Sequence, residues 1–589
     1  MYNPQTKGTT DYRENIDVFN GINLNERISV GDLAFTENCS ARKYPTLSAR
    51  YERGIVEEGL PVDCMIAKDA HIFFIANNKL YKLLNEDEYV SGQPHYVEKM
   101  SLKTSVTRYR QMVGMGSYIV IFPDGYYFNT KNESDKGQIY AVKGYTASNI
   151  SYSICNSQGD GISATISNTA PVSPSDGDYW VDTSEVPHVL KRWSDTYQDW
   201  TQIPSTFTKI AASGIDENFN EMDAVAISGS TKIENATYTI YHKGTDYIVV
   251  PYLLDTVGNA TESLKLERKF PDMDYVVESG NRLWGCKYGD NLNEIYACAL
   301  GDFKNWNRFL GISTDSYVAS RGSDGEWTGA VSYLGTPIFF KENCIETVYP
   351  SNTGAHEIQS VNINGTGVAP GAWKSIAVVD GAVYYQGVAG FYSYTGSLPK
   401  KISDRLGDQF FSAGCAGDLA GYYYVSVRDQ YDWNIFTYDT RMGVWYREDD
   451  KEVQCFARLG SELYFCTDNT VYVARGTRGT KERVHWWAVT HNFAWQPRGR
   501  GGKVGGDINK NAQKVSVRAN LIAGAKLNIY IAYDSSYSYD LVGTLEGDGK
   551  AMWYIYPIVP ARCDHFRLKF DCDGDGCIWS VLTQRDDEN

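Results

Sequence analysis

Asp571-Cys572-Asp573-Gly574-Asp575-Gly576 is the stretch of this 589-residue chain that comes nearest to a ligand set. Carboxylates at alternate positions before a glycine open a calcium loop, because Ca2+ gathers about six to eight oxygens around a sharp turn. Such a loop ends on a bidentate carboxylate at its twelfth position, and here that position is Leu582. The stretch therefore reads as a hairpin turn between two strands, with Asp571, Asp573 and Asp575 kept as a calcium candidate. The eight histidines and twelve cysteines show no paired ligand spacing, neither HExxH nor CxxC. The cysteines sit inside strand-like runs, such as Cys286 in LWGCKY and Cys466 in LYFCTD, and read as buried thiols. No metal or cofactor is expected.

Other candidate chemistry is sparser. Ser323-Asp324-Gly325-Glu326-Trp327 resembles part of the Asp-box turn of sialidase propellers, but the Ser-x-Asp order and the Thr before Trp are missing. It reads as a turn anchored by a tryptophan. Gly365-Thr366-Gly367-Val368-Ala369-Pro370-Gly371 is glycine-rich, yet Pro370 and the flanking strands make it a loop and not a phosphate cradle. No GxSxG or Walker sequence occurs. The carboxylate pair of a glycosidase could be any two of 72 acidic residues, so none is assigned. No residue is expected to be catalytic, and the chain reads as not an enzyme. Trp180, Trp193 and Trp200 lie on three successive short strands. They form either a face for glycan or partner contact or the core of their small sheet.

The elements that would carry these residues are strands. The chain holds 44 Tyr, 14 Trp and 54 Gly but only 18 Pro, which suits many short pleated segments joined by tight turns. One unit recurs: an apolar strand, an Asp-Gly or Gly-Asn type turn, an aromatic strand, a second turn, and a strand ending in tyrosine. Arg282-Leu283-Trp284-Gly285-Cys286, the Gly289-Asp290-Asn291 turn and Ile295-Tyr296-Ala297 show its second half, with Trp306 and Phe309 following. Seven copies can be read, five of them at a spacing of roughly 35–55 residues, the signature of a β-propeller. Each small sheet needs a neighbour to bury its second face.

The expected fold is all-β: a β-propeller with an inserted β-rich domain and a C-terminal β-sandwich of jelly-roll type. Residues 1–62 read as an extended strap, 63–130 as the first blades and 131–270 as the insertion. Residues 271–475 supply the remaining blades, 476–505 a strand pair and linker, and 506–589 the sandwich. The linker holds the nearest thing to a basic cluster, Arg498, Arg500 and Lys503. The net charge of −16 and the missing basic face argue against a nucleic-acid reader. An acidic surface can still matter near DNA, because it lets DNA pass without adhering where adhesion needs phosphate neutralisation. No apolar leader follows Met1 and no run of ~18 apolar residues occurs, so neither a signal peptide nor a membrane span is expected. Folding in a cytoplasm is expected.

The pattern RLWG…IYA…LGD…NW between Arg282 and Trp306 resembles a motif of tail proteins of tailed bacteriophages. These are the head-completion or stabilization proteins and the tail nozzle proteins of short-tailed phages. Ile558 to Leu568, Tyr44 to Leu47, and the meander GDYWVDTS…PHVLKRW resemble other parts of the same family. The resemblance implies a virion component assembled in the host bacterial cytoplasm. It implies a propeller built into a ring, a hexamer in that family, that continues the DNA channel and helps retain the genome. It also implies docking on an upstream tail adaptor or tail-tube protein. The insertion over 131–270 departs from the family and is read as serving tail-fibre attachment or host contact. Two other readings stay open: a carbohydrate-binding tail protein that touches the host surface, and a sialidase-like glycosidase.

Overall fold

The computed structural model describes residues 12–103, 109–289, 293–351, 353–494, 510–559, 562–563 and 565–586. The Arg498–Lys503 cluster lies outside them, as do Asp290 and Asn291 of the turn named above. Strands dominate; the helical elements among the described residues are three short 3-10 turns, Ala41–Lys43, Trp373–Ser375 and Asp404–Leu406. Among these residues no helix is long and apolar enough to cross a membrane.

The seven repeats fold as antiparallel sheets over 62–101, 111–138, 275–320, 327–362, 377–401, 412–449 and 455–475. Six are meanders of four consecutive strands. The seventh has three, and Gly54–Glu58 from the N-terminal region pairs along Thr470–Arg475 as its fourth. Repeated four-stranded meanders are the blades of a β-propeller. The second strand of a blade is covered on both faces, which explains its continuous apolar run: every residue of Arg282–Cys286 and of Ala382–Gly387 is buried.

The same turn joins strands one and two in five blades. Asp69-Ala70 (φ 46° and 63°), Gly280-Asn281 (62° and 59°), Leu334-Gly335 (50° and 78°), Asp380-Gly381 (45° and 78°) and Ala420-Gly421 (51° and 82°) all have both central residues in the left-handed region. A turn of that type matches the twist of the strands it connects. Leu334 is its costliest occupant: a branched side chain at positive φ that is 80% exposed and gains little from burial. Leu334→Asn is expected to raise stability by roughly 0.5–1 kcal/mol, read as a higher thermal midpoint.

The chain forms two compact units. One comprises Met1–Leu102, Phe339–Ile345 and Ser360–Asn589; the other comprises Lys103–Ile338 and Glu346–Gln359. In the first unit the leading strands Ala377–Val379, Ser412–Leu419, Cys455–Leu459 and Val62–Lys68 lie side by side in that order. This unit also holds the sandwich. One of its sheets is built on Gly576–Asp586, Lys510–Leu521 and Ala551–Pro557; the other is built on His485–Thr490, His565–Asp573, Lys526–Tyr533 and Asp540–Glu546. Val515, Val517, Leu527, Ile529, Phe566 and Leu568 fill the space between them. The N-terminal region is more than a strap. Tyr12–Ile16, Leu33–Glu37, Cys39–Ser40 and Leu47–Ala49 are strands of the sandwich. His485–Thr490 is likewise a sandwich strand, paired with His565–Asp573.

In the second unit the leading strands Gln111–Met115, Tyr275–Ser279 and Trp327–Tyr333 are neighbours. The Gln111 amide ties two blades: its Nε2 donates to the Val276 carbonyl at 2.8 Å, and its Oε1 accepts from the Val276 N–H at 2.9 Å. Gln111→Ala would leave both backbone groups without these partners. A loss of about 1–3 kcal/mol is expected by chemical denaturation.

The insertion has a seven-stranded sheet whose spine is the long pair Ala141–Cys155 and Gly258–Arg268. A four-stranded sheet accompanies it, Ala164–Ser167, Tyr179–Asp182, Val189–Ser194 and Asp199–Gln202. The first of these strands runs parallel to the second and extends the three-stranded meander read from the sequence. All twelve cysteines are buried and none is bridged.

Candidate functional site

Register brings the three tryptophans of the meander together. Trp193 lies opposite Trp200, and Trp180 lies opposite Lys191. Strand alternation then puts all three rings on one face, while Val181 and Leu190 point the other way into the main core of the insertion. The ring centroids of Trp180 and Trp200 are 5.5 Å apart at 65°, and those of Trp193 and Trp200 are 5.5 Å apart at 63°. The rings therefore meet edge to face and not as one plane. Trp180 is buried, and its Nε1 donates to the carbonyl and Oγ of Ser167, each at 3.1 Å. Trp193 and Trp200 are half-buried. Lys191 Nζ sits 5.0 Å from the Trp180 ring centre and bridges Asp182 Oδ2 (2.8 Å) and Glu185 Oε1 (2.6 Å). Its hydrogen bond, helped by Ser184, holds the Asp182 carboxyl down to about 2. The trio is a small aromatic core under a lysine lid, and it offers no coplanar platform for sugar rings.

Asp571, Asp573 and Asp575 diverge. Asp571 Oδ1 is hydrogen-bonded to His485 Nε2 at 2.7 Å, and its other oxygen is 3.3 Å from Lys569 Nζ. Asp573 accepts from Arg483 Nε at 2.9 Å, and Asp575 pairs with Arg42. Three carboxylates on separate cations do not form a cage, and the calcium reading is set aside. Asp573–Gly576 is the turn between two sandwich strands, with Gly574 at φ 104°. Among the described residues no group of three or more His, Cys, Asp or Glu is arranged to hold a metal ion. The Ser323–Trp327 turn leads into the strand Trp327–Tyr333, whose first side chain is fully buried. The glycine-rich loop is a packing device: a Cβ on Gly367 would lie 1.8 Å from the Lys341 carbonyl oxygen.

The second unit contains a cleft that no motif announced. It has a volume of about 890 Å³. One wall is the strand pair Tyr126–Asn129 and Lys136–Gln138; the opposite wall is the inserted loop 216–220. A buried network joins the two behind the cleft. Arg268 Nε donates to the Ile139 carbonyl at 3.0 Å and its Nη1 to Asp223 Oδ2 at 2.5 Å. Asn305 Nδ2 donates to Asp223 Oδ1 at 3.1 Å and its Oδ1 accepts from the Ala224 N–H at 2.9 Å. The 216–220 loop is held by Lys243, whose Nζ donates to the carbonyls of Phe219 (2.7 Å) and Asp216 (3.3 Å). Across from it, Lys304 Nζ rests 4.2 Å from the ring centre of Tyr127. Tyr140, 39% exposed, completes the aromatic lining and donates through its hydroxyl to Glu267 Oε1 at 2.6 Å. That bond, with Lys265 and Lys269, overcomes the opposing effect of burial and holds the Glu267 carboxyl down to about 2. The contributing residues are scattered from 103 to 304, so no spacing could have pointed to them.

No known family matches the chain. A stretch of 115 residues is 31% identical to a tail fiber protein of Enterococcus phage phiEF24C; it makes up 20% of this chain, and the chain spans about 6% of that protein's length. By shape, an exo-β-1,3-galactanase from Phanerochaete chrysosporium is similar at 10% identity and a TM-score of 0.22, over 52% of this chain and 95% of that one. A family 43 arabinoxylan arabinofuranohydrolase from Bacillus subtilis is similar at 11% identity and a TM-score of 0.16, over 52% and 95%. At these values the likeness concerns fold alone. The expectation that the chain is not an enzyme rested on missing motifs alone, and it is withdrawn beside similar structures that are glycoside hydrolases. Glycoside hydrolysis uses paired carboxylates with no required sequence spacing, so a motif search does not exclude it.

Proposed function

We propose that this chain is a structural component of a bacteriophage tail, of the nozzle or stabilization type. The observation that supports a phage-tail role is the 31% identity over 115 residues to a phage tail fiber protein; the nozzle or stabilization type rests on the resemblance of the Arg282–Trp306 pattern. The all-β build suits such a part, because blades and a sandwich offer rigid faces and exposed strand edges for repeated lateral docking. In this reading the chain assembles as a homo-oligomer, a hexameric ring in the virion, seated on an upstream adaptor or tail-tube protein. Genomic DNA passes through its lumen without sequence-specific contact. The net charge of −16 favours that passage, since a surface poor in cations does not neutralise phosphates. The inserted domain is then free for tail fibres or host contact.

Light scattering on the purified chain across a concentration series, with negative-stain images, tests the assembly. A mass near six times 66.0 kDa and a particle with a central hole are expected. A chain that stays monomeric alone and also when mixed with the neighbouring tail proteins of its phage would overturn the ring.

A further inference from the structure

We propose that the cleft between the Tyr126–Gln138 strand pair and the 216–220 loop binds an acidic saccharide. The inference rests on the cleft alone and holds whether or not the chain forms a ring.

Charge points to the ligand. The lining carries Lys103, Lys243, Arg268 and Lys304 against Asp216 and Glu217. Arg268 is neutralised by Asp223 and Glu217 by Lys143, while Lys243 serves the loop carbonyls. Lys103 and Lys304 make no described ion pair. Two carboxylates offset them in part: Asp216, which accepts from the Asp246 N–H at 3.0 Å, and Asp135, held below the usual carboxylate range by the Tyr118 hydroxyl and to a lesser degree by Lys304. In a chain with a net charge of −16, a cleft lined by four cations against two carboxylates is still a local reversal of sign. Lys103 and Lys304 would meet a carboxylate or phosphate through charge-assisted hydrogen bonds.

Shape and surface point to a sugar. About 890 Å³ is ample for a short oligosaccharide and lies within the usual range of ligand clefts. Tyr140, 39% exposed, presents aromatic surface to the apolar face of a pyranose ring. Lys304 rests over the Tyr127 ring, so its ammonium group is placed before a ligand arrives. The side-chain amides of Gln138 and Asn218 add hydrogen-bonding capacity for hydroxyls. A nucleic-acid strand fits less well, because its affinity comes from several phosphates neutralised in series and this wall also carries carboxylates.

The test is binding of the full chain to an array of acidic glycans (uronate, sialyl and phosphodiester-bearing) beside neutral ones. Calorimetry on the strongest acidic glycan follows, with Lys103→Ala, Lys304→Ala and, as a control, Lys550→Ala at an exposed position of the sandwich. Acidic glycans are expected to bind in preference to neutral ones. Each cleft variant should weaken binding about tenfold while the control does not. Raising salt from roughly 0.05 to 0.5 M should weaken it further. Lys103 is exposed, so its variant tests the idea even if Lys304→Ala perturbs packing. Retention of no acidic glycan above the neutral set, or wild-type affinity in both cleft variants, would overturn the proposal. Equal affinity for a short single-stranded DNA would overturn the saccharide in favour of a general polyanion site.

Discussion

Arg53→Ala is expected to cost about 3–5 kcal/mol, because it leaves two buried carboxylates without their cation. Arg53 Nη2 donates to Glu448 Oε2 at 2.7 Å and its Nη1 pairs with Asp449. The arginine side chain is 1% exposed and those of its partners 5% and 9%. The residue precedes Gly54–Glu58, the strand that completes the seventh blade, so the pair fixes where the N-terminal region enters the propeller. Burial alone would raise the Asp449 carboxyl; Arg53, with Arg50 and Lys451 behind it, outweighs burial and holds it below the usual range. A carboxyl depressed by folding contributes stability that is full above its unfolded value, about 3.9, and is lost as pH falls through the folded value. In Arg53→Ala the sign reverses, since burial is left as the main influence on Asp449. The deficit of the variant should therefore be largest near neutral pH and narrow below about pH 4. Arg53→Lys should not restore the loss, because one ammonium cannot span both carboxylates as the guanidinium fork does. Calorimetric midpoints at several pH values check each point.

Trp445→Ala should cost a similar amount, about 3–5 kcal/mol, through cavity formation. The ring is fully buried, 5.3 Å from Phe391 and 4.8 Å from Tyr438 between centroids. Its Nε1 donates to the Ile402 carbonyl at 2.9 Å, and its own carbonyl accepts from the Ile22 N–H at 2.7 Å. One residue thus joins two blades to the N-terminal region. Gly21 is held there by the same contact: at φ 77°, a Cβ would lie 2.3 Å from the Trp445 oxygen. Trp445→Phe keeps most of the apolar volume but leaves the Ile402 carbonyl unpaired, so a smaller loss of about 1–3 kcal/mol is expected. Equal losses for the two variants would assign the effect to the hydrogen bond and not to the cavity.

The blades were legible because their signals are local. A two-residue turn such as Asp380-Gly381 declares positive φ in its residue types, and the apolar run after it declares a strand covered on both faces. The sandwich stretches Lys514–Leu521 and Lys526–Tyr533 alternate cleanly in sequence for the same reason. What stayed hidden depends on distant pairing. Tyr12–Ile16 finds its partner at Val581–Arg585, and Cys39–Ser40 is a strand of two residues, too short to leave a period. Asp571, Asp573 and Asp575 looked like a ligand set because sequence shows spacing but not direction; the fold aims each at a different cation. The cleft escaped for the opposite reason, since Lys103, Tyr127 and Lys304 come from three separate segments.

In the proposed reading this protein is part of a phage tail. Immunogold labelling of purified virions of the source phage, with mass spectrometry of the same particles, decides it. Gold at the tail of intact virions, and peptides of this chain at several copies per particle, are expected. A chain made during infection but absent from purified virions would overturn the tail reading.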